Sequence, residues 1–114
     1  MTNNSEPTPV SEFPLRMGTA KKTINDLATN HKHRIRIGKH TKNRMAERGV
    51  SIRDIFNVLS SSRSIMQEEP ARQANGDYIC TLLGVSAGER ITVVIALKEI
   101  DVDPEAKTVT VYVE

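Results

Sequence analysis

The chain has 114 residues, 38% of them hydrophobic and 4% aromatic, and a net charge of +2. This length fits one domain with a modest, mainly aliphatic core and leaves little room for two domains. The single cysteine, Cys80, excludes an internal disulfide, which suits a reducing compartment. No apolar run approaches the length of a membrane span, and the polar N-terminus does not resemble a signal peptide. We therefore expect a soluble, cytoplasmic protein that does not interact with membranes.

The charges are distributed unevenly along the chain. Residues 21–53 contain ten Lys and Arg against two acidic residues, a local charge of +8. Residues 54–114 contain five Lys and Arg against ten acidic residues, a local charge of −5. Such segregation predicts a face for a polyanion, unless the basic and acidic parts pair with each other in the fold.

The N-terminal third predicts a tail, a helix and a short strand. Residues 1–18 contain three prolines and no periodicity, which is typical of a flexible tail. Residues 19–30 carry apolar side chains at helical spacing, Ala20, Ile24, Leu27 and Ala28, and Thr19 is the expected N-cap. Residues 33–37, HRIRI, alternate between basic and apolar side chains and predict a strand.

A helical hairpin is predicted over residues 39–60. Gly49 readily adopts the left-handed conformation that ends a helix, and Ser51 with Asp54 forms the sequence pattern of a capping box. The buried side of the first helix is expected to contain Ile37, Thr41 and Met45. The buried side of the second is expected to contain Ile52, Ile55, Phe56 and Leu59.

The remaining sequence predicts four strands joined by short connections, over 63–69, 77–84, 90–99 and 108–114, with Asn75-Gly76 as a turn. The strand over 90–99 is the most apolar and is expected at the sheet centre. In the last strand, Val109, Val111 and Val113 should face one way, and Thr108, Thr110 and Tyr112 the other. Short connections favour antiparallel pairing. The expected fold is therefore α+β, a helical hairpin packed on a twisted, four- to five-stranded antiparallel sheet, with an extra N-terminal helix; residues 19–114 form one domain.

The segment HTKNRMAERGVSIRDIFNVL, residues 40–59, is followed by the strands DYICTLLG, ITVVIAL and TVTVYVE. This order resembles a small bacterial domain family marked by the pattern His-x3-Arg-Met-x2-Arg-Gly, which is grouped with the RelE/ParE-like toxins of toxin–antitoxin systems. The resemblance covers about residues 33–114.

The resemblance implies a RelE-like fold in which the open, concave face of the sheet meets RNA. It implies a toxin of a type II toxin–antitoxin system that cleaves mRNA, often on the ribosome, without a metal or other cofactor. The implied partners are RNA and a cognate antitoxin protein. ParE-like relatives share the fold but act on gyrase, so the resemblance alone does not determine the activity.

For a metal-independent endoribonuclease, we expect His40, Arg44 and Tyr112 to be catalytic. His40 would act as base or acid, Arg44 would clamp the scissile phosphate, and Tyr112 would stack on a base or donate a proton. Further contacts to RNA are expected from Lys39, Arg34, Arg36, Arg48, Arg90 and Lys98.

Each of these residues also has a structural interpretation. Arg48 falls within the buried arc of its helix and could pair with Asp54, and His40 could be a partly buried, hydrogen-bonded histidine. Tyr112 could simply complete the sheet edge. The alternative for the whole protein is a non-enzymatic module that binds nucleic acid or a protein through the basic face of residues 31–48. No second cluster of Cys or His accompanies the histidines, so no metal site is expected.

Overall fold

A computed structural model describes residues 6–114, which form an α+β fold with three helices on one face of a six-stranded open sheet. The helices are α1 (Met17–Asn30), α2 (Lys39–Arg48) and α3 (Ile52–Ser60), and a 3₁₀ turn spans Lys32–Arg34. The strands are β1 (Ile35–Arg36), β2 (Ile65–Met66), β3 (Ala71–Arg72), β4 (Tyr78–Ser86), β5 (Glu89–Lys98) and β6 (Glu105–Val113). No helix in this part of the chain is long and apolar enough to cross a membrane.

The sheet has the order β1-β6-β5-β4-β2, and β3 also pairs with β4. The central position of β5 is confirmed. All neighbours are antiparallel except β1 and β6, which are parallel. The prediction of four to five purely antiparallel strands was therefore wrong in number and in one pairing. The parallel pair is possible because the whole hairpin and four strands separate β1 from β6 in the chain.

The helices bury their apolar sides against the sheet and each other. α2 packs on β6, α3 packs on β4 and β5, and α1 packs on α3. The predicted buried residues of α1 are all in the core: Ala20, Ile24, Leu27 and Ala28. In α3, Ile55 and Leu59 are buried as expected and Phe56 is half-buried, but Ile52 is 52% exposed and Val58 is buried instead. The buried arc of α3 is therefore centred on its second and third turns, and Ile52 lies at its margin.

The turn between α2 and α3 matches the prediction. Gly49 has a φ of 69°, in the left-handed region. The Asp54 amide donates to Ser51 Oγ at 3.0 Å, and the Ser51 amide donates to the Asp54 carboxylate at 2.9 Å. These reciprocal bonds form the capping box and fix the start of α3.

The N-terminal segment differs from the predicted flexible tail of residues 1–18. Residues 1–5 lie outside the described part of the chain, but Leu15 is buried in the core, and the Val10 amide donates to the Ile100 carbonyl at 2.6 Å. α1 begins at Met17, and its N-cap is Arg16 instead of Thr19. The apolar Leu15 explains the difference, because its burial holds the preceding segment against the domain.

Two of the predicted strands are shorter than expected, and one further strand was not predicted. β1 covers only two residues of the predicted 33–37 strand, because a 3₁₀ turn occupies Lys32–Arg34. β2 covers only two residues of the predicted 63–69 strand. β3 was not predicted and lies between the predicted strands 63–69 and 77–84, directly after Pro70, which has no amide hydrogen to donate to a strand ladder.

A bulge changes the faces of β6. Val94 pairs with Thr110 but Ile95 pairs with Thr108, so Val109 is an inserted residue. Thr108 therefore shares the buried face with Val111, so the predicted face of Thr108 was wrong. From Thr110 to Val113 the predicted alternation is confirmed, with Val111 and Val113 on one face and Thr110 and Tyr112 on the other.

Candidate nucleic-acid interface

His40 and Arg44 lie on α2, on the helical side of the sheet. Thr41 is fully buried beneath this helix, which confirms the predicted orientation. His40 is exposed, and the half-buried Arg44 donates through Nη1 to Glu47 Oε1 at 3.0 Å. The Arg44 guanidinium is therefore already engaged by a carboxylate of the same helix, whereas the imidazole of His40 faces solvent.

Tyr112 lies on the opposite face of the sheet. It pairs with Thr92, whereas the adjacent pair Val93 and Val111 is fully buried under the helices. Because side chains alternate between faces along a strand, Tyr112 points to the open face. The sheet separates it from His40 and Arg44, so the three predicted catalytic residues do not form one site.

Three of the predicted RNA-binding cations are paired with acids. Arg34 Nη1 lies 2.7 Å from Asp103 Oδ2, and Asp103 raises the pKa of the guanidinium. Arg90 Nε donates to Glu114 Oε1 at 2.7 Å, and Lys98 Nζ pairs with Asp77 Oδ2. These carboxylates largely cancel the positive potential that the three cations would offer to an RNA backbone.

The structural interpretation of Arg48, a residue in the buried arc that pairs with Asp54, does not match the structure. It is exposed at the last turn of α2, outside the buried arc, and the expected ion pair with Asp54 does not form. Asp54 instead accepts hydrogen bonds from Ser51 and from the Ser86 hydroxyl, which lowers its pKa. Arg48 remains available at the negative end of the helix dipole.

Four cations that form no ion pair among residues 6–114 lie at the β1 edge of the sheet. Arg36 and Lys107 are partners in the β1–β6 ladder, and both are exposed on the open face. Lys39 and Lys42 are exposed on α2, which is separated from β1 by two residues. None of these four cations has an acid within 4.0 Å among residues 6–114. We call this group, Arg36, Lys39, Lys42 and Lys107, the basic edge.

Close packing at Gly38 joins the two parts of the basic edge. A Cβ at Gly38 would lie 2.6 Å from the Thr108 carbonyl oxygen and 3.4 Å from Lys107 Cε. The Gly38 amide donates to Thr108 Oγ1 at 2.9 Å. The Lys107 side chain therefore passes Gly38, the residue before α2. The first turn of α2 contains no acid, so the positive end of the helix dipole adds to this charge.

Sequence reasoning included Lys42 only within the basic face of residues 31–48, and it missed Lys107 as part of a site. Lys107 lies some 70 residues from Arg36 along the chain, in the acidic C-terminal part, and only the parallel pairing of β1 with β6 brings the two together. No local signal in the sequence indicates that pairing.

The cysteine, the depression beside the basic edge and the possible metal ligands give no stronger candidate for a site. Burial raises the pKa of the Cys80 thiol to about 12, so it is a poor nucleophile at neutral pH. A depression of about 240 Å³ beside the basic edge is lined by Arg36, Lys98 and Lys107, but equally by Asp77, Glu99 and Glu105. Among residues 6–114, no group of three His, Cys, Asp or Glu side chains could hold a metal ion.

Comparison with known proteins gives one family. The model of the family described as "Domain of unknown function (DUF4258)" matches residues 37–113, from the last residues before α2 to the end of β6. No curated protein and no solved structure matches the chain. The matched segment contains α2, α3 and the five strands β2–β6, and it leaves out α1 and β1. Because the match covers more than half of its residues, the chain belongs to the DUF4258 family.

Proposed function

We propose that this protein binds RNA through the basic edge. The observation that supports this most directly is the convergence of four cations at one edge of the sheet, from two distant parts of the chain, with no ion pair to any acid of residues 6–114. Cations in such an arrangement neutralise phosphates and release their counterions, which supplies sequence-independent affinity for a nucleic acid. The proposed function is thus a binding module that works in the cytoplasm and needs no cofactor.

The test measures RNA binding by the full chain, using fluorescence anisotropy over a series of salt concentrations. We expect Arg36→Ala combined with Lys107→Ala to weaken binding about tenfold and to reduce the salt slope by about two. A matched control, Lys22→Ala combined with Arg53→Ala, removes two exposed cations of α1 and α3 with the same change in net charge. Equal loss in both double variants would mean that only net charge matters, and the basic edge would not be the site.

A second candidate is a RelE/ParE-like toxin that cleaves mRNA and is held inactive by a cognate antitoxin. Two observations favour it: the helical hairpin packed on one face of a mostly antiparallel sheet, and the exposed imidazole of His40 beside Lys39 of the basic edge. In this proposal His40 transfers the proton, and Arg44 holds the scissile phosphate after leaving Glu47. Tyr112 is no longer part of the catalytic group, because it lies on the other face of the sheet.

Induced expression distinguishes the two candidates. A toxin should arrest growth and produce cleaved mRNA, and His40→Ala and Arg44→Ala should relieve both effects while RNA binding falls by less than about threefold. If the wild-type chain leaves growth and mRNA intact, with ribosomes present, but still binds RNA, only the binding module remains. Full toxicity of both variants would show that these residues do not carry out the reaction.

A further inference from the structure

The basic edge has cations on two flanks that face in different directions. Arg36 and Lys107 project from the open face of the sheet, where the β1–β6 register places them side by side. Lys39 and Lys42 project from α2, which lies on the other side of β6. They are three residues apart on the helix, so they share one side of it. The edge itself is short along the strand direction, because β1 is only two residues long.

This arrangement does not suit one extended strand of RNA. A single strand that follows the open face meets Arg36 and Lys107 but turns away from Lys39 and Lys42. Two phosphate backbones on either side of a groove, in contrast, could meet both flanks when the edge enters between them. The minor groove of double-stranded RNA is wide and shallow and is recognised mainly through phosphates and 2′-hydroxyls.

The positions of the Phe and Tyr side chains also favour a duplex over a single strand of RNA. Proteins that bind single strands stack successive bases on aromatic side chains. The chain has four Phe and Tyr residues, and each is remote from the basic edge or already engaged. Tyr78 is buried, Phe56 lies under Lys32, and Phe13 lies against Arg72. Tyr112 is five residues from Lys107 along β6, about 17 Å at the usual rise of a strand. No stacking platform of Phe or Tyr therefore adjoins these cations.

We infer that the basic edge takes a double-stranded segment of RNA, with Arg36 and Lys107 on the phosphates of one strand and Lys39 and Lys42 on those of the other. The inference rests on the proposed binding of RNA and names the form of RNA that is bound. It requires both flanks to contribute to affinity for the duplex. It also requires contacts to phosphate and sugar without reading of bases, so affinity should depend little on sequence.

The experiment compares three probes with the full chain, by anisotropy at about 150 mM salt. They are an RNA duplex of about 16 base pairs, one of its strands alone, and a DNA duplex of the same sequence. We expect the RNA duplex to bind about tenfold more tightly than either other probe, with a salt slope near −4 because four phosphates are contacted. Arg36→Ala with Lys107→Ala, and separately Lys39→Ala with Lys42→Ala, should each weaken duplex binding about tenfold and reduce the slope by about two.

The control is the Lys22→Ala and Arg53→Ala double variant, which should bind the duplex nearly as the wild type does. Thermal unfolding of each variant checks that the fold is kept. Equal or tighter binding of the single strand would overturn the duplex inference and leave RNA binding in place. Dependence on only one flank would overturn it as well, and so would tighter binding of the DNA duplex. If no probe binds, the proposed function fails together with this inference.

Discussion

Thr41 and Thr108 are buried threonines near the start of α2, and they differ in hydrogen bonding. Thr108 Oγ1 accepts a hydrogen bond from the Gly38 amide at 2.9 Å and so satisfies a backbone donor between β1 and α2. Thr41 Oγ1 has no partner among residues 6–114, although the residue is fully buried. A buried hydroxyl without a hydrogen-bond partner lowers the stability of the fold. Removing the acceptor of a buried backbone donor also lowers it, and by more than the hydrogen bond contributed, because the donor is left unsatisfied.

Replacing each threonine by valine should therefore have opposite effects on the free energy of unfolding. We expect Thr41→Val to raise it by about 1 kcal/mol, because the shape is kept and an unpaired polar group is removed. Thr108→Val should lower it by about 1–3 kcal/mol, because the Gly38 amide is left without its acceptor. Urea unfolding of the two variants measures both changes. A loss of stability in Thr41→Val as large as in Thr108→Val would mean that the Thr41 hydroxyl is paired in solution.

At the scale of secondary-structure elements, the capping box at Ser51 and Asp54 connects α3 to the sheet. The Asp54 carboxylate accepts from the Ser51 amide and from Ser86 Oγ at 2.7 Å, and Ser86 Oγ in turn accepts from Asn57 at 2.9 Å. The hydrogen bond that the carboxylate accepts from the Ser51 backbone amide is the main reason that the pKa of Asp54 is lowered, followed by the bond from the Ser86 hydroxyl. The cap thus links the first turn of α3 to the end of β4.

The stability that Asp54 contributes should depend on pH. A carboxyl group with a lowered pKa in the folded state stabilises the fold above its unfolded pKa, near 3.8, and loses this effect as the pH falls through the folded value. We expect Asp54→Ala to lower the free energy of unfolding by about 1 kcal/mol at pH 7, and by progressively less below about pH 4. Unfolding of wild type and variant across this range provides the measurement. A difference that stays constant down to pH 2 would show that Asp54 does not act as a carboxylate.

The connection from β1 to α2 depends on the absence of a side chain at Gly38. Its φ of −66° and ψ of 158° suit any residue, so packing alone requires glycine. We expect Gly38→Ala to destabilise by about 1–3 kcal/mol, because a Cβ 2.6 Å from a backbone oxygen forces α2 away from β6.

The control for this substitution is Gly18→Ala in the first turn of α1, where a Cβ would meet nothing within 4 Å. Alanine there should stabilise by up to about 1 kcal/mol, because it favours the helix over the unfolded chain. Both changes are read from chemical unfolding. If Gly38→Ala proved neutral, the close packing of this connection on β6 would be absent in solution.

At the scale of the whole molecule, α1 belongs to the same core as the hairpin and the sheet, although it precedes the segment that the family model matches. Ile24 and Leu27 of α1 are fully buried. The Asn25 side chain donates to the Leu59 carbonyl at 2.6 Å, and Lys21 Nζ donates to the Ser62 carbonyl at 2.6 Å, at the end of α3. α1 therefore caps the C-terminal end of α3 as well as covering it.

Truncating a core side chain of α1 should lower the free energy of unfolding by as much as truncating a core side chain of the sheet. We expect Ile24→Ala to lower the free energy of unfolding by about 2–5 kcal/mol, because the deletion leaves a cavity in a filled core. Ile52→Ala is the matched control: the same substitution at a position that is 52% exposed should cost about 1 kcal/mol or less. Equal small effects at both positions would mean that α1 folds apart from the rest of the chain.

Local patterns in the sequence were sufficient for the helical hairpin, its capping box, the left-handed Gly49, the buried side of α1 and the central position of β5. Each of these depends on residues within a few positions of one another, through helical spacing, capping bonds or a continuous apolar run. Local pattern failed where the outcome depends on distant neighbours. The inserted Val109 in β6 and the exposure of Arg48 are examples.

The sequence by itself determined that a basic segment precedes an acidic one and that the hairpin carries His40 and Arg44 on one helix. Only the tertiary structure decided which charges remain without partners. Asp103 and Glu114 neutralise Arg34 and Arg90, whereas Lys107 joins Arg36 across a parallel ladder. The physical reason is that charges interact through space, so residues far apart in the chain decide which cations stay available to a ligand. The register of β6 on β5 places Tyr112 on the open face, so the thickness of the sheet separates it from His40.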